Sequence, residues 1–322
     1  GADNGTMELY ENVGMANDPS FEAASYNAFG NSDVGCDAAV AAGDLNGDGD
    51  TDLLVGTFAG DLFYFEVRIS TIPASFLSAV ENPFSLTDAT TGTDGSAPVF
   101  VDLDSDNDFD MLSGSFNGTY YYYENTGSVT APEFDAVAVN PFGLTESGFS
   151  AIPTFADIDD DGDLDLLSGE NSGNFIYFEN TGTATNPVFA AASFNPFGLT
   201  KLTSRSSPVF VDLDNDEDYD ILAGNAQNGD IVYFQNTGTK SAPAFAAAQI
   251  NIFGLEENGS TSSMITMADL DDDDDFDLII GTFGNDYFYA ENIGTVSGPD
   301  FALPRPFITT DYGRTPSSVA DL

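Results

Sequence analysis

The sequence predicts an all-β protein, a β-propeller most simply built from six four-stranded blades, and three observations predict it. A unit of about 55 residues recurs along the 322-residue chain. Within each unit the apolar runs are short, rich in Val, Ile, Phe and Tyr, and bounded by Gly, Asn, Asp and Pro, which is the punctuation of strands rather than helices. Runs such as Tyr120 to Tyr123 are apolar without alternation. Strands of that kind are covered on both faces, as they are when blades stack radially around an axis.

Each unit opens with an acidic phrase followed by a strand. The phrase reads GDLNGDGDTDLLVG from Gly43, VDLDSDNDFDMLSG from Val101, ADIDDDGDLDLLSG from Ala156, VDLDNDEDYDILAG from Val211 and ADLDDDDDFDLIIG from Ala268. Its leading aspartates, Asp44, Asp102, Asp157, Asp212 and Asp269, are spaced by 58, 55, 55 and 57 residues. An aromatic phrase ending in a turn comes next, in six copies that begin at Met7, Asp61, Thr119, Asn174, Asp230 and Asp286. The third phrase is NPFGL, seen at Asn140 and Asn195 and in weaker form at Asn27, Asn82, Asn251 and Arg305. The four strands of a unit are expected at PVFVDL, DLLSG, YYYYEN and the NPFGL region. Asn-Thr-Gly and Asn-Gly pairs supply the positive φ angles that the tight connections need.

The ends of the chain keep the same register. Gly1 to Gly14 lines up with Gly114 to Gly127, and VADL from Val319 opens a sixth acidic phrase. Residues 1–322 are therefore expected to form a single propeller whose sixth repeat is split between the two termini, or a window from a longer array.

The acidic phrase carries the chemistry. Its spacing is D-x-[DN]-x-D-G-x-x-D, and alternate positions of a tight turn aim oxygens at one point. A hard cation that takes 6 to 8 oxygens at roughly 2.3 to 2.6 Å fits such a cage better than magnesium, which is smaller and sheds water reluctantly. The candidate ligands are Asp44, Asn46, Asp48, Asp50 and Asp52 in the first loop, Asp50 by its carbonyl, and Asp102, Asp104, Asp106, Asp108 and Asp110 in the second. The third offers Asp157, Asp159, Asp161, Asp163 and Asp165, and the fourth Asp212, Asp214, Asp216, Asp218 and Asp220. The fifth offers Asp269, Asp271, Asp273, Asp275 and Asp277, giving about five calcium sites. The sixth position of the loop favours a left-handed backbone. Gly49 and Gly162 provide it, Asn107 and Asp274 tolerate it, and Glu217 fits poorly, so the fourth loop is expected to bind most weakly.

Charge supports the cation reading. The five loops hold 28 of the 54 acidic residues, and two carboxylates about 4 Å apart repel by on the order of 4 kcal/mol at an effective dielectric near 20. Such clusters oppose folding unless each is neutralised. A net charge of -48 with six basic residues also excludes nucleic acid and anionic lipid as partners, since no basic patch exists to release counterions. The hydrophobic fraction of 42% is too high for a disordered acidic tail. No apolar run is long enough to span a bilayer as a helix. The single Cys36 permits no internal disulfide and is read as a small buried hydrophobe.

These loops, each followed by a strand such as Leu53-Leu54-Val55-Gly56, resemble the FG-GAP and VCBS repeat families, the former known from the integrin α-subunit propeller. The resemblance covers essentially the whole chain. It implies a propeller with calcium in the loop between the first two strands of each blade, and a secreted or surface-attached bacterial protein concerned with adhesion.

Catalysis is not expected, and a polysaccharide-acting enzyme is the least favoured reading: a carboxylate pair could hydrolyse glycosides, yet the conspicuous carboxylates are already assigned as ligands. With no His, no Ser or Cys triad can be assembled, and only Lys201 and Lys240 offer an amine. Glu124, Glu179 and Glu291 are read as ordinary strand-end side chains. The preferred expectation is an extracellular, calcium-dependent adhesion or assembly module whose partner is a surface protein, a glycan, a second copy or a neighbouring repeat. The alternative is a lectin-like propeller that stacks sugars on Tyr and Phe. Asn4, Asn117 and Asn258 match the N-glycosylation pattern but are read first as turns.

Overall fold

The computed structural model describes residues 96–226 and 229–253 continuously, together with residue 255 and the segments 8–9, 25–26, 39–43, 52–56, 62–65, 67–68, 75–76, 80–81, 264–268, 276–281, 287–295, 297–303 and 305–308. These residues form antiparallel sheets, and no α-helix occurs among them. Strand β1 (Glu8–Leu9) pairs with β2 (Ser25–Tyr26). The first four-stranded sheet contains β3 (Ala39–Gly43), β4 (Asp52–Gly56) and β5 (Leu62–Phe65). A side ribbon, β6 (Val67–Arg68) with β7 (Ser75–Phe76), precedes its outer strand β8 (Val80–Glu81).

Three more sheets are uninterrupted meanders. They are β9 (Ser96–Val101), β10 (Asp110–Ser115), β11 (Tyr120–Tyr123) and β12 (Ala138–Val139); then β13 (Ile152–Ala156), β14 (Asp165–Gly169), β15 (Phe175–Phe178) and β16 (Ser193–Phe194); then β17 (Ser206–Val211), β18 (Asp220–Asn225), β19 (Ile231–Phe234) and β20 (Gln249–Ile250). The fifth four-stranded sheet is β21 (Met264–Ala268), β22 (Asp277–Gly281), β23 (Tyr287–Ala290) and β24 (Arg305–Ile308). Pairing of Glu8 with Tyr26 and Leu9 with Ser25 repeats the register of Tyr121 with Val139 and Tyr122 with Ala138. So β1 and β2 have the pairing of the third and fourth strands of a unit.

The third strands explain how the sheets associate. All four residues of β11, of β15 and of β19 are buried. Leu112, Tyr120 and Tyr122 of one sheet pack with Leu166, Ile176 and Phe178 of the next, and Leu167, Phe175 and Tyr177 pack in turn with Ile221, Val232 and Phe234. Each sheet thus gives one face to its predecessor and the other to its successor, which is why its strands read as unbroken apolar runs. Edge-to-face ring pairs join consecutive sheets, Tyr120 on Phe178 at 5.9 Å and Phe175 on Phe234 at 5.5 Å between centroids.

First strands of successive sheets lie against one another, β3 on β9, β9 on β13, β13 on β17 and β17 on β21. The approach is close enough to require glycine. A Cβ on Gly169 would sit 2.1 Å from the Ser206 carbonyl oxygen, and one on Gly114 would sit 2.4 Å from that of Ala151.

The NPFGL region differs from the expected strand. The fourth strand is only the pair of residues before it, and the phrase itself forms the short 3-10 turns Pro141–Gly143 and Pro196–Gly198. Asn140 and Phe142 have φ of 46° and 56°, Asn195 and Phe197 of 49° and 56°, and Asn251 and Phe253 of 50° and 55°. Two left-handed residues flanking one other, Pro141, Pro196 or Ile252, cannot continue a ladder. The turn is repaid by packing and by hydrogen bonds. The Phe142 carbonyl accepts the Phe189 N–H of the next sheet at 2.8 Å, and Phe197 accepts that of Phe245 at 2.7 Å.

Candidate metal centre

Each acidic phrase forms the connection from the first to the second strand of its sheet. In the second loop, Asp102 Oδ1 accepts the backbone N–H of Asp106 at 3.1 Å and its Oδ2 accepts that of Asn107 at 3.1 Å. Asp106 Oδ1 then accepts the N–H of Asp108 at 3.1 Å. The third loop repeats this with Asp157 on Asp161 and Gly162, both at 3.1 Å, and Asp161 on Asp163 at 3.2 Å. The fourth repeats it with Asp212 on Asp216 at 3.1 Å and Glu217 at 3.0 Å, and Asp216 on Asp218 at 3.1 Å. The first carboxylate therefore folds the turn that gathers the others.

The backbone follows from this winding. The sixth position is left-handed in all three loops, at 75° for Asn107, 94° for Gly162 and 70° for Glu217. Glu217 adopts the conformation despite the steric cost, of about 1–2 kcal/mol for a residue with a Cβ. The fourth position is left-handed as well, at 58° for Ser105, 58° for Asp160 and 56° for Asn215.

The turn brings carboxylates together. Asp102, Asp104 and Asp106 each offer an oxygen, and these lie within 4.8 Å of one another. The same holds for Asp157, Asp159 and Asp161, and for Asp212, Asp214 and Asp216. In each loop two buried oxygens have no hydrogen-bond partner: Oδ1 of Asp104 and Asp108, of Asp159 and Asp163, and of Asp214 and Asp218. A buried carboxylate oxygen without a donor is costly. The same two positions carry it in three loops, so each loop could hold a cation, and an oxygen-only donor set suits a hard one. Desolvation, and then the charge of neighbouring aspartates, pushes the acidities of Asp104, Asp108 and Asp159 up, and takes Asp163 and Asp218 up to about 6.

The last aspartate of each loop has further partners. Asp110 Oδ1 accepts the N–H of Asn125 at 2.9 Å, and its Oδ2 accepts the Tyr122 hydroxyl at 2.7 Å and the Leu103 N–H at 3.2 Å. Asp165 is held by Tyr177 at 2.8 Å and Asn180 at 2.7 Å, and Asp220 by Tyr233 and Asn236, both at 2.7 Å. A cation reaching these carboxylates shares their oxygens with those donors. Burial raises all three to about 7. Asp44, Asn46, Asp48, Asp50, Asp269, Asp271, Asp273 and Asp275 lie outside the described residues, and Asp52 and Asp277 are described only as the first residues of β4 and β22.

Sequence reasoning missed the donors that brace these loops. Tyr122, Tyr177 and Tyr233 occupy one register of the aromatic phrase, and Asn125, Asn180 and Asn236 follow it, so the signal was there as a fixed Y-x-x-N spacing. The buried Asn also organises the turn after it. Asn125 Oδ1 accepts the N–H of Gly127 at 3.1 Å and of Glu133 at 3.0 Å. Of the glycosylation-pattern residues, Asn117 accepts the Ser115 hydroxyl at 2.6 Å and the Thr119 N–H at 3.1 Å, the contacts of a turn. Asn4 and Asn258, like Cys36, lie outside the described residues.

Among the solved structures similar to this chain is an Agrocybe aegerita lectin with specific recognition of non-reducing terminal N-acetylglucosamine, at 14% identity and a TM-score of 0.49, covering 97% of this chain and 78% of that one. Saccharomyces cerevisiae Sqt1 matches at 8% identity and a TM-score of 0.41, covering 82% and 61%. Rhamnogalacturonan lyase YesW matches at 10% and 0.38, covering 85% and 64%. No curated protein matches the sequence. Family models do match it. The FG-GAP-like repeat covers residues 102–168 and 157–223, each match running from one acidic loop through the strand after the next, and the FG-GAP repeat covers residues 38–63. Residues 38–63 and 102–223 thus carry FG-GAP and FG-GAP-like repeats.

Proposed function

We propose that the chain is an extracellular β-propeller of six four-stranded blades that takes up calcium in its acidic loops and serves as a rigid adhesion or assembly module at a cell surface, without catalytic activity. The observation that carries this reading is the threefold recurrence of converging carboxylates with two buried, unpartnered oxygens per loop. Five meandering sheets whose first strands touch in sequence support the propeller. The pairing of β1 with β2, in the register of third and fourth strands, supports a sixth blade. Asp102, Asp104, Asp106 and Asp108 would hold the cation in the second loop, with their counterparts in the third and fourth. A bound cation supplies the positive charge that these crowded oxygens lack.

Crystals grown in calcium should show anomalous scattering inside each loop, near the unpartnered oxygens. Loops without such density under millimolar calcium would remove the reading. Assembly is read separately by negative-stain imaging in calcium and in chelator, where calcium-dependent strings or clusters are expected. A uniform monomer in both conditions would contradict assembly while leaving the loops as cation sites.

A second reading, carbohydrate binding, draws on a cavity of about 310 Å³ between the fourth and fifth repeats. It is lined by Tyr233, Phe253, Gln235, Gln249, Asp214 and Pro299, among others. Rings beside amides and a carboxylate suit a sugar's apolar face and hydroxyls. Glycan-array binding lost on Phe253→Ala would favour it over adhesion through protein contacts.

A further inference from the structure

We propose that the residue directly after the third strand of each sheet sets how tightly that sheet's acidic loop holds its cation, and that the fourth loop is weakest because Gln235 stands where the other units carry Glu. The inference rests on the loops being cation sites. The positions are equivalent in structure as well as in sequence. The carbonyls of Glu124, Glu179 and Gln235 accept the N–H of Asp135, Ala190 and Ala246, each at 2.8 Å. Each is followed by the Asn whose N–H bonds the last aspartate of the loop. All five other units carry Glu here: Glu11, Glu66, Glu124, Glu179 and Glu291.

This position lies outside the nine-residue motif, and in the fourth unit its side chain reaches the loop. In the fourth unit the group is neutral and a donor. Gln235 Nε2 donates to Asp214 Oδ2 at 2.8 Å, engaging a carboxylate that converges with Asp212 and Asp216. Lys240 Nζ lies 3.0 Å from Glu217 of the same loop and places a positive charge beside it. Protein donors thus supply part of the neutralisation that a cation supplies elsewhere. Asp214 Oδ1 and Asp218 Oδ1 stay unpartnered, as in the other loops, so a cation site persists, with a neutral side chain at the position where the other units carry a carboxylate.

Calorimetric titration of the full chain with calcium tests this on the wild type, Gln235→Glu and Glu179→Gln. Gln235→Glu should tighten the weakest site about tenfold, the attraction of one carboxylate for a divalent ion about 6 Å away in a water-like dielectric. Glu179→Gln should weaken one tight site by a similar factor. Each substitution installs a side chain that this position already carries in another unit, so folding is retained. Failure of Gln235→Glu to tighten the weakest site overturns the inference while leaving the loops as cation sites. Absence of calcium binding by the wild type overturns both.

Discussion

Asp165 is the first residue of a strand, a hydrogen-bond acceptor for the next strand and the last carboxylate of an acidic loop. Its two oxygens take the Tyr177 hydroxyl and the Asn180 N–H, so the loop's end is fixed by the sheet before any ion arrives. Tyr177→Phe removes one donor from a buried carboxylate and should cost about 1–3 kcal/mol, read as a lowered urea midpoint with an unchanged slope. Protonation gives a second handle. Burial raises Asp110, Asp165 and Asp220 to about 7, above the ordinary carboxylate value of 3.8. An acid whose folded value is raised binds more protons folded than unfolded across that window, so stability falls as pH climbs from about 4 to 7. In chelator the melting temperature should therefore be higher at pH 5 than at pH 8. Saturating calcium should shrink or reverse that order, because protons and cation compete for the same carboxylates. The acidic side chains were legible from their spacing alone. Their tyrosine and asparagine partners were not, because a Tyr in an apolar run reads as core until its hydroxyl is seen to reach an aspartate.

The turn after the fourth strand shows where local sequence signals fail. NPFGL looks like the start of a strand, since Phe and Leu favour sheets. Instead Asn195 and Phe197 are left-handed, and Phe197 puts its ring 5.0 Å from that of Tyr177. A left-handed Phe is rare enough that no propensity anticipates it, and only the tertiary contact justifies it. Asn195 tolerates the conformation and accepts the Phe175 N–H at 2.9 Å. Asn195→Ala loses both advantages and should destabilise the protein by about 1–3 kcal/mol. Asn195→Gly should recover part of the loss, because glycine meets no steric penalty there; equal midpoints for the two variants would show that the conformation carries no cost. The strands that the sequence places correctly, such as Tyr120–Tyr123, are those whose two faces are both buried. The outer strands are two residues long in four of the five four-stranded sheets, and three of them leave Val139, Phe194 and Ile250 exposed, so their pattern carries little signal.

At the scale of the whole molecule, periodicity of about 55 residues made the repeated sheets legible, because a unit that cannot cover its own apolar faces must stack against copies of itself. The handing of each sheet's third strand to the next sheet realises that expectation. A chain of net charge -48 stacks such sheets with its carboxylates gathered at one connection of each. Self-repulsion then opposes the fold wherever no counterion sits. The most direct test is calorimetric melting of the full chain at neutral pH in 1 mM calcium and in chelator. A site with a Kd near 0.1 mM contributes about 1.4 kcal/mol under those conditions, so several sites together should raise the melting temperature by roughly 10 °C. Superimposable melts in calcium and chelator would contradict the claim that cations hold the acidic loops, and with them the stacked sheets, together.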